Sequence, residues 1–217
     1  MPKPRGLSRL SRPLVNALGS IPAAILLVYR NLNTIEKAGA AEQTINKSRF
    51  YAYAAQCETE QQVGAFLRAI AAKHASAHHL AYAFRIRTLE GVVPRFSDAG
   101  EPSGTAGKPI LQMLEGQKLI NVCVGVIRYY GGVNLGTGGL VRAYSGTAKM
   151  ALEAASTIPF VEMQLLKLTI PYNRMDELTR ALMQLKGKLL DKKFDDAVHV
   201  EVSLPAVDAN TFLSKFN

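Results

Sequence analysis

The sequence predicts an α+β protein of two domains preceded by a basic extension. Three observations carry this. Apolar residues recur with a period of 3.6 in some segments and of 2 in others, and the two kinds of segment alternate along the chain. Residues 157–217 read strand, helix, strand, strand, helix, a split βαβ, ferredoxin-like plan without its final strand. With 217 residues, 48% of them hydrophobic, the chain can bury a core for one or two domains, which excludes disorder throughout.

Regular structure in the first domain, residues 41–156, becomes legible from Ile45. Phe50–Gln56 reads as a strand. Thr59 and Gln62 have the spacing of a capping box, and Val63, Phe66, Leu67 and Ile70 then form one helical stripe. Leu80, Tyr82, Phe84 and Ile86 alternate with Ala81, Ala83, Arg85 and Arg87, the pattern of a half-buried strand. A long loop leads to a short helix bracketed by Pro109 at its first position and Gly116 just past its end. Val122, Val124 and Val126 mark a third strand running into Arg128-Tyr129-Tyr130, followed by a glycine loop and a helix over Leu140–Ala155.

Thr157-Ile158-Pro159 marks the boundary to the second domain, residues 157–217. There Leu165–Tyr172 reads as a strand, and Asn173 caps a helix that buries Leu178, Ala181, Leu182 and Leu185 and ends at Gly187. Leu189–Phe194 and Val198–Leu204 flank Asp195-Asp196-Ala197 as a hairpin, and Asp208–Phe216 forms the last helix.

The formal net charge is +9. Residues 1–33 hold five basic residues and no acid, residues 34–156 thirteen basic and nine acidic, and residues 157–217 eight of each. The basic start followed by the apolar run Ile21–Tyr29 resembles the front of an export signal, with Ala38-Gly39-Ala40 as a small-residue site. Arg30 and Glu36-Lys37 interrupt that arrangement, and the run falls well short of the roughly 20 apolar residues that span a bilayer. Residues 1–40 therefore read as a mobile or loosely docked extension, with no membrane partner. Two cysteines, Cys57 and Cys123, without CxxC spacing exclude a disulfide framework and a cysteine zinc site, and fit a reducing cytoplasm.

Twelve of the seventeen glycines lie between Gly91 and Gly146, concentrated in residues 95–109 and 128–142. Neither stretch is a nucleotide fingerprint. A Walker A loop would need glycine at Pro102 and Ser or Thr at Pro109, and a dinucleotide fingerprint would need glycine at Val141. A more general chemistry remains. A strand, a glycine turn and a helix starting near Gly139 present backbone N–H groups of Gly136, Gly138 and Gly139 at the positive end of a helix dipole, where an anion binds. Arg128 precedes this turn, and Arg142 and Lys149 follow it on one helix face. The bland alternative is that the glycines only turn strand into helix and the cations are solvated. Tyr130, among these cations, is a candidate for base stacking, because Tyr129 and Tyr130 point to opposite faces.

Asp98 and Glu101 can serve as acid and base or bind a divalent cation, or, as acidic residues beside Gly-Pro turns commonly do, both can cap backbone N–H groups. His74 and His78 have i, i+4 spacing, but the helix ends between them and a third metal ligand is missing. His79 enters a strand and Ser97 lies outside a nucleophile elbow, which leaves them as polar site residues without a defined reaction. Cys123, in mid-strand, reads as buried and inert.

The stretches Phe96–Pro109 and Arg128–Tyr144, with Lys47-Ser48-Arg49-Phe50 upstream and Ala77-His78-His79 between, resemble the YigZ/IMPACT family over residues 45–156. The resemblance implies a first domain with the βαβ fold shared by a small-subunit ribosomal protein and GHMP-type kinases. It also implies a ferredoxin-like second domain similar to the last domain of the ribosomal translocation factor. For eukaryotic members it implies control of translation during amino-acid starvation through a regulatory protein partner. For bacterial members it implies RNA or ribosome binding in the cytoplasm, with no cofactor and no defined catalytic residues. Ala99 stands where the family has a second acid after Asp98, and Ala81 where many members have cysteine, which weakens metal and thiol chemistry here.

The expectation is thus a translation-associated, non-catalytic protein that binds RNA or the ribosome through Arg95, Lys108, Arg128, Arg142 and Lys149, with Tyr130 as stacker. The alternative is an enzyme or sensor that holds a small phosphorylated ligand at Gly136–Gly139, with Ser97, Asp98, Glu101 and His79 nearby.

Overall fold

The computed structural model describes residues 16–17, 31–88 and 90–216. Most of the N-terminal extension, including the apolar run Ile21–Tyr29, lies outside the described residues. The chain divides into two compact units, one of residues 31–160 and one joining residues 161–217 to residues 1–30. In chain order the described elements begin with a two-residue strand, β1 (Asn16–Ala17), which belongs to the second unit.

The first unit continues with β2 (Asn33–Lys37), β3 (Gly39–Ile45), β4 (Ser48–Gln56), α1 (Glu60–Lys73), β5 (His79–Thr88) and β6 (Gly91–Ser97). It is completed by α2 (Gly107–Gly116), β7 (Val122–Tyr129), α3 (Gly136–Glu153) and β8 (Ser156–Pro159). β2 and β8 pair as a small two-stranded sheet, and the other five strands form an antiparallel sheet in the order β3-β4-β7-β5-β6. Phe50, Ala52 and Ala54 of β4 and Val122, Val124 and Val126 of β7 pack against Ile110 and Leu114 of α2 and Leu140, Ala143, Tyr144 and Ala148 of α3. The opposite face carries Phe84, Ile86 and Cys123 against Val63, Phe66 and Leu67 of α1. Helices on both faces explain why the central strand β7 is a nearly unbroken apolar run.

Several boundaries differ from the sequence reading for identifiable reasons. In the first unit regular structure begins at Asn33, ahead of Ile45, because β3 has too few large apolar residues to show a period. The stretch read as a long loop contains β6, an edge strand in which Pro94 is tolerated because one side of such a strand needs no ladder donors. Helix α2 starts at Gly107, so Pro109 is its third residue, and α3 starts at Gly136 and includes Gly138, Gly139 and Gly146. The Thr59–Gln62 cap forms, with Thr59 Oγ1 accepting from Gln62 N–H at 3.2 Å, while the Gln62 side chain accepts from Glu58 N–H, one residue before the cap.

The second unit contains β9 (Met163–Ile170), α4 (Met175–Gln184), β10 (Lys188–Phe194), β11 (Val198–Pro205) and α5 (Ala209–Phe216). Its sheet order is β1-β9-β11-β10, so Asn16–Ala17 lies on the edge of β9 that the sequence reading left unpaired. Leu166, Leu168 and Ile170 of β9 and Val198, Val200 and Val202 of β11 pack against Leu178 and Leu182 of α4 and Phe212 and Phe216 of α5. Asn173 does not cap α4. It lies inside the 3₁₀ turn Tyr172–Arg174, and Arg174 at the cap position makes no side-chain cap bond. The molecule is a mixed α+β protein.

Candidate functional site

Strand register gathers the chemistry at one end of the five-stranded sheet. His79 at the start of β5 is opposite Arg128 near the end of β7, Arg49 at the start of β4 is opposite Tyr129, and Tyr82 is opposite Ser97 at the end of β6. Both glycine stretches therefore leave the sheet at the same end, and α2 and α3 both begin there. Two glycines are demanded by close backbone approach. A Cβ on Gly107 would lie 2.4 Å from Ser97 O, and one on Gly131 would lie 2.1 Å from the Lys47 carbonyl carbon, so neither position admits a side chain.

The first stretch is organised by Asp98. Its Oδ1 accepts from Ala106 N–H at 2.9 Å and Gly107 N–H at 2.8 Å, and its Oδ2 from Gly104 N–H at 2.8 Å. Burial alone would push the Asp98 carboxyl up, but the backbone N–H groups of Gly104, Ala106, Gly107 and Lys108 outweigh it and hold the group below the usual carboxylate range. Asp98 is thus the anion at the N-terminus of α2, in the capping role rather than as a free acid or base.

Glu101 ties the two stretches together. Its Oε1 accepts from Arg128 Nη1 at 2.7 Å and from the Tyr144 hydroxyl at 2.7 Å. The side chains of Arg128 and Glu101 are only 5% and 4% exposed. Arg128 also donates through Nη2 to Ser48 Oγ at 3.3 Å, and its guanidinium lies over the rings of Phe50 and Tyr130. Burial and the Glu101 carboxylate push the Tyr144 hydroxyl well above the usual phenol range, so it remains a donor. His79 Nε2 is 3.9 Å from Glu101, and its Nδ1 bonds the Ala99 carbonyl at 2.9 Å. Ser97 Oγ accepts from Ala99 N–H at 3.2 Å.

These contacts correct one feature of the expected site. Arg128 does not belong to a solvated basic rim, because the strand alternation that sends the half-buried Tyr129 to one face carries Arg128 into the other, where Glu101 answers its charge. The remaining cations, Arg95, Lys108, Arg142 and Lys149, are exposed. Lys149 is 62% exposed and 3.7 Å from Glu153, a surface pair of small energetic weight.

The N-terminus of α3 differs from that of α2. Leu135 at the cap position makes no side-chain cap bond, and the first turn contains no acid. Asn134 Oδ1 takes the Gly136 N–H at 3.2 Å. Gly138 is not required by packing, since a Cβ there would meet only Arg142 Nη1, at an ordinary 3.5 Å. The Arg142 guanidinium therefore lies beside the start of its own helix, in the second turn rather than the first. Tyr130, 47% exposed and backed by the Arg128 guanidinium at 5.2 Å, stands just outside the sheet.

Residues 46–152, which include both glycine stretches and every residue of this end of the sheet, match the family model described as the Impact N-terminal domain. An IMPACT family member of Haemophilus influenzae is 35% identical over 175 residues, spanning 80% of this chain and 85% of that protein. The chain belongs to the IMPACT family. The IMPACT family member YigZ of Escherichia coli is 34% identical over 174 residues, spanning 80% of this chain and 85% of its own length. A crystal structure of a hypothetical protein superposes with a TM-score of 0.64 at 32% identity, covering 85% of this chain and 90% of the other.

The structure of this IMPACT-family chain also shows groups that the sequence reading passed over. On the sheet face that α1 covers only in part, Tyr51, Tyr53 and Tyr129 surround His74, with Tyr53 hydroxyl to Nε2 at 2.8 Å and Tyr129 hydroxyl to Nδ1 at 3.0 Å. The signal was the alternation Arg49, Tyr51, Tyr53 within a strand whose even positions are buried. His78 Nδ1 accepts from Tyr130 N–H at 3.3 Å. Among the described residues no cluster of three or more His, Cys, Asp or Glu could hold a metal ion. Cys57 and Cys123 are both buried, and their contact together with burial pushes the Cys123 thiol well up.

Proposed function

We propose that this IMPACT-family protein is a cytoplasmic, translation-associated regulator that binds RNA or the ribosome through the glycine-rich end of its first unit, without catalysis. Gly138 carries this reading. Glycine in a helix costs about 0.5–1 kcal/mol relative to alanine, and neither the turn nor the packing at this position needs it. Bare backbone beside Arg142 is what a phosphate oxygen requires to approach the N–H groups of a helix whose cap residue makes no side-chain bond, the Gly136 N–H alone being taken by Asn134. Lys108 and Arg95 extend the exposed positive surface, and Tyr130 offers a braced ring to a base. Asp98 and Glu101 are engaged in capping and bridging, which argues against an acid–base pair. The regulatory role follows the family, whose eukaryotic members resemble translation regulators. The same reading takes the second unit as a ferredoxin-like domain whose fourth strand position is filled by β1, and the first as the βαβ type of the ribosomal protein.

Co-sedimentation with ribosomes at low and moderate salt, with and without residues 1–15, which hold four of the five basic residues of the extension and leave β1 and β2 in place, tests the proposal. Binding by both chains that weakens as salt rises supports it. Binding confined to the chain with its basic extension would place the activity outside the first unit.

The N-terminus of α3 with Arg142 also suits a single phosphate on a small ligand. Saturable binding of inorganic phosphate or a nucleoside monophosphate, together with no affinity for RNA, would select that second reading.

A further inference from the structure

The groove between β3 and β4 lies on the sheet face opposite the packing of α3. Register sets Ala40 opposite Tyr53 and Glu42 opposite Tyr51, and the small Ala40 beside the Tyr53 ring leaves a groove of about 240 Å³ lined by Ala40, Ala41, Glu42, Tyr51 and Tyr53. That is below the roughly 300–1,000 Å³ of a small-molecule pocket and suits one flat ring. The rings are held in place. His74 is hydrogen-bonded to the hydroxyls of Tyr53 and Tyr129, and Tyr51 packs on His74 with centroids 5.0 Å apart. Two exposed cations border the cluster, Arg49 over the Tyr129 ring at 5.0 Å and Lys73 over the Tyr53 ring at 5.9 Å.

We infer that this groove is a base-binding subsite for single-stranded RNA, in which a base stacks on Tyr51 and Tyr53, its amino group donates to Glu42, and Arg49 and Lys73 hold the flanking phosphates. The choice of RNA as ligand rests on the function proposed above. Fixed aromatic rings interleaved with cations bind single strands through stacking and charge neutralisation. A lone carboxylate in such a groove accepts from the exocyclic amino group of cytosine or adenine, whereas uracil offers only N3–H, flanked by the O2 and O4 acceptors that repel a carboxylate. The subsite therefore prefers cytosine or adenine to uracil.

Fluorescence anisotropy with labelled ten-nucleotide oligo(rC), oligo(rA) and oligo(rU) tests this, on variants whose fold is checked by circular dichroism. Tyr51→Leu should weaken oligo(rC) binding about tenfold without changing its salt dependence. Glu42→Gln should remove most of the preference over oligo(rU). Ultraviolet crosslinking of oligo(rC) should map to Tyr51 or Tyr53. Oligonucleotides that bind with affinity unchanged in Tyr51→Leu, and crosslink elsewhere, would overturn the subsite and leave the RNA reading standing. Absence of RNA binding by the unaltered protein at low salt would overturn both.

Discussion

Arg128 is buried and paired with the Glu101 carboxylate. Its guanidinium joins the start of β4, the loop of Glu101 and, through Glu101, Tyr144 of α3. Arg128→Ala strands the Glu101 carboxylate in a buried position and should lower stability by about 3–5 kcal/mol, measured by urea unfolding. Arg128→Lys, which keeps the charge, should retain the fold but weaken RNA binding without flattening its salt dependence. A flatter salt dependence would instead make Arg128 a phosphate contact. Asp98 carries a pH prediction. Its folded-state pKa lies below the unfolded value of about 3.9, so its contribution is complete above that pH and is lost as pH falls through the folded pKa. Stability of the wild type should therefore approach that of Asp98→Asn between about pH 4 and pH 2. A constant difference across that range would show that the cap does not depend on ionisation. The sequence suggests backbone capping for Asp98 and Glu101 alike, because the turn beside them is a local signal, but only Asp98 caps while Glu101 bonds the Arg128 and Tyr144 side chains. Sequence reasoning missed the Arg128–Glu101 pair because residues 27 apart meet only through register and loop path.

At the scale of elements, the two helices that leave the same end of the sheet are finished differently. Helix α2 has its anion built in as Asp98, and α3 begins on three glycines with no acidic cap. Gly138→Ala should move two observables in opposite directions. The melting temperature should rise, by the equivalent of about 0.5–1 kcal/mol, and RNA affinity should fall because a methyl group stands where a phosphate oxygen approaches. A rise in both, or a loss of stability, would show that the glycine serves only the turn. Long periodic elements such as α1 and β7 were legible because burial imposes a regular pattern on them. β6 and the start of α3 were not, because Pro94 and the glycines are read locally as breakers, while pairing with β5 and packing of Leu140, Ala143 and Tyr144 override that preference.

For the whole molecule, the net charge of +9 is a poor guide to where nucleic acid would bind. More than half of it lies in residues 1–33, and the thirteen basic residues of 34–156 include Arg128, which is neutralised internally. What matters is that the fold leaves Arg95, Lys108 and Arg142 exposed while it consumes Asp98 and Glu101 in bonds of its own. The most direct test is the salt dependence of single-stranded RNA binding, measured by anisotropy between about 0.05 and 0.2 M salt, for the full chain and for Lys108→Ala with Arg142→Ala. The account predicts steep weakening with salt for the unaltered chain and, for the double variant, lower affinity with a slope reduced by about 0.7 for each phosphate contact removed. Equal affinity and equal slope in the two proteins would contradict it.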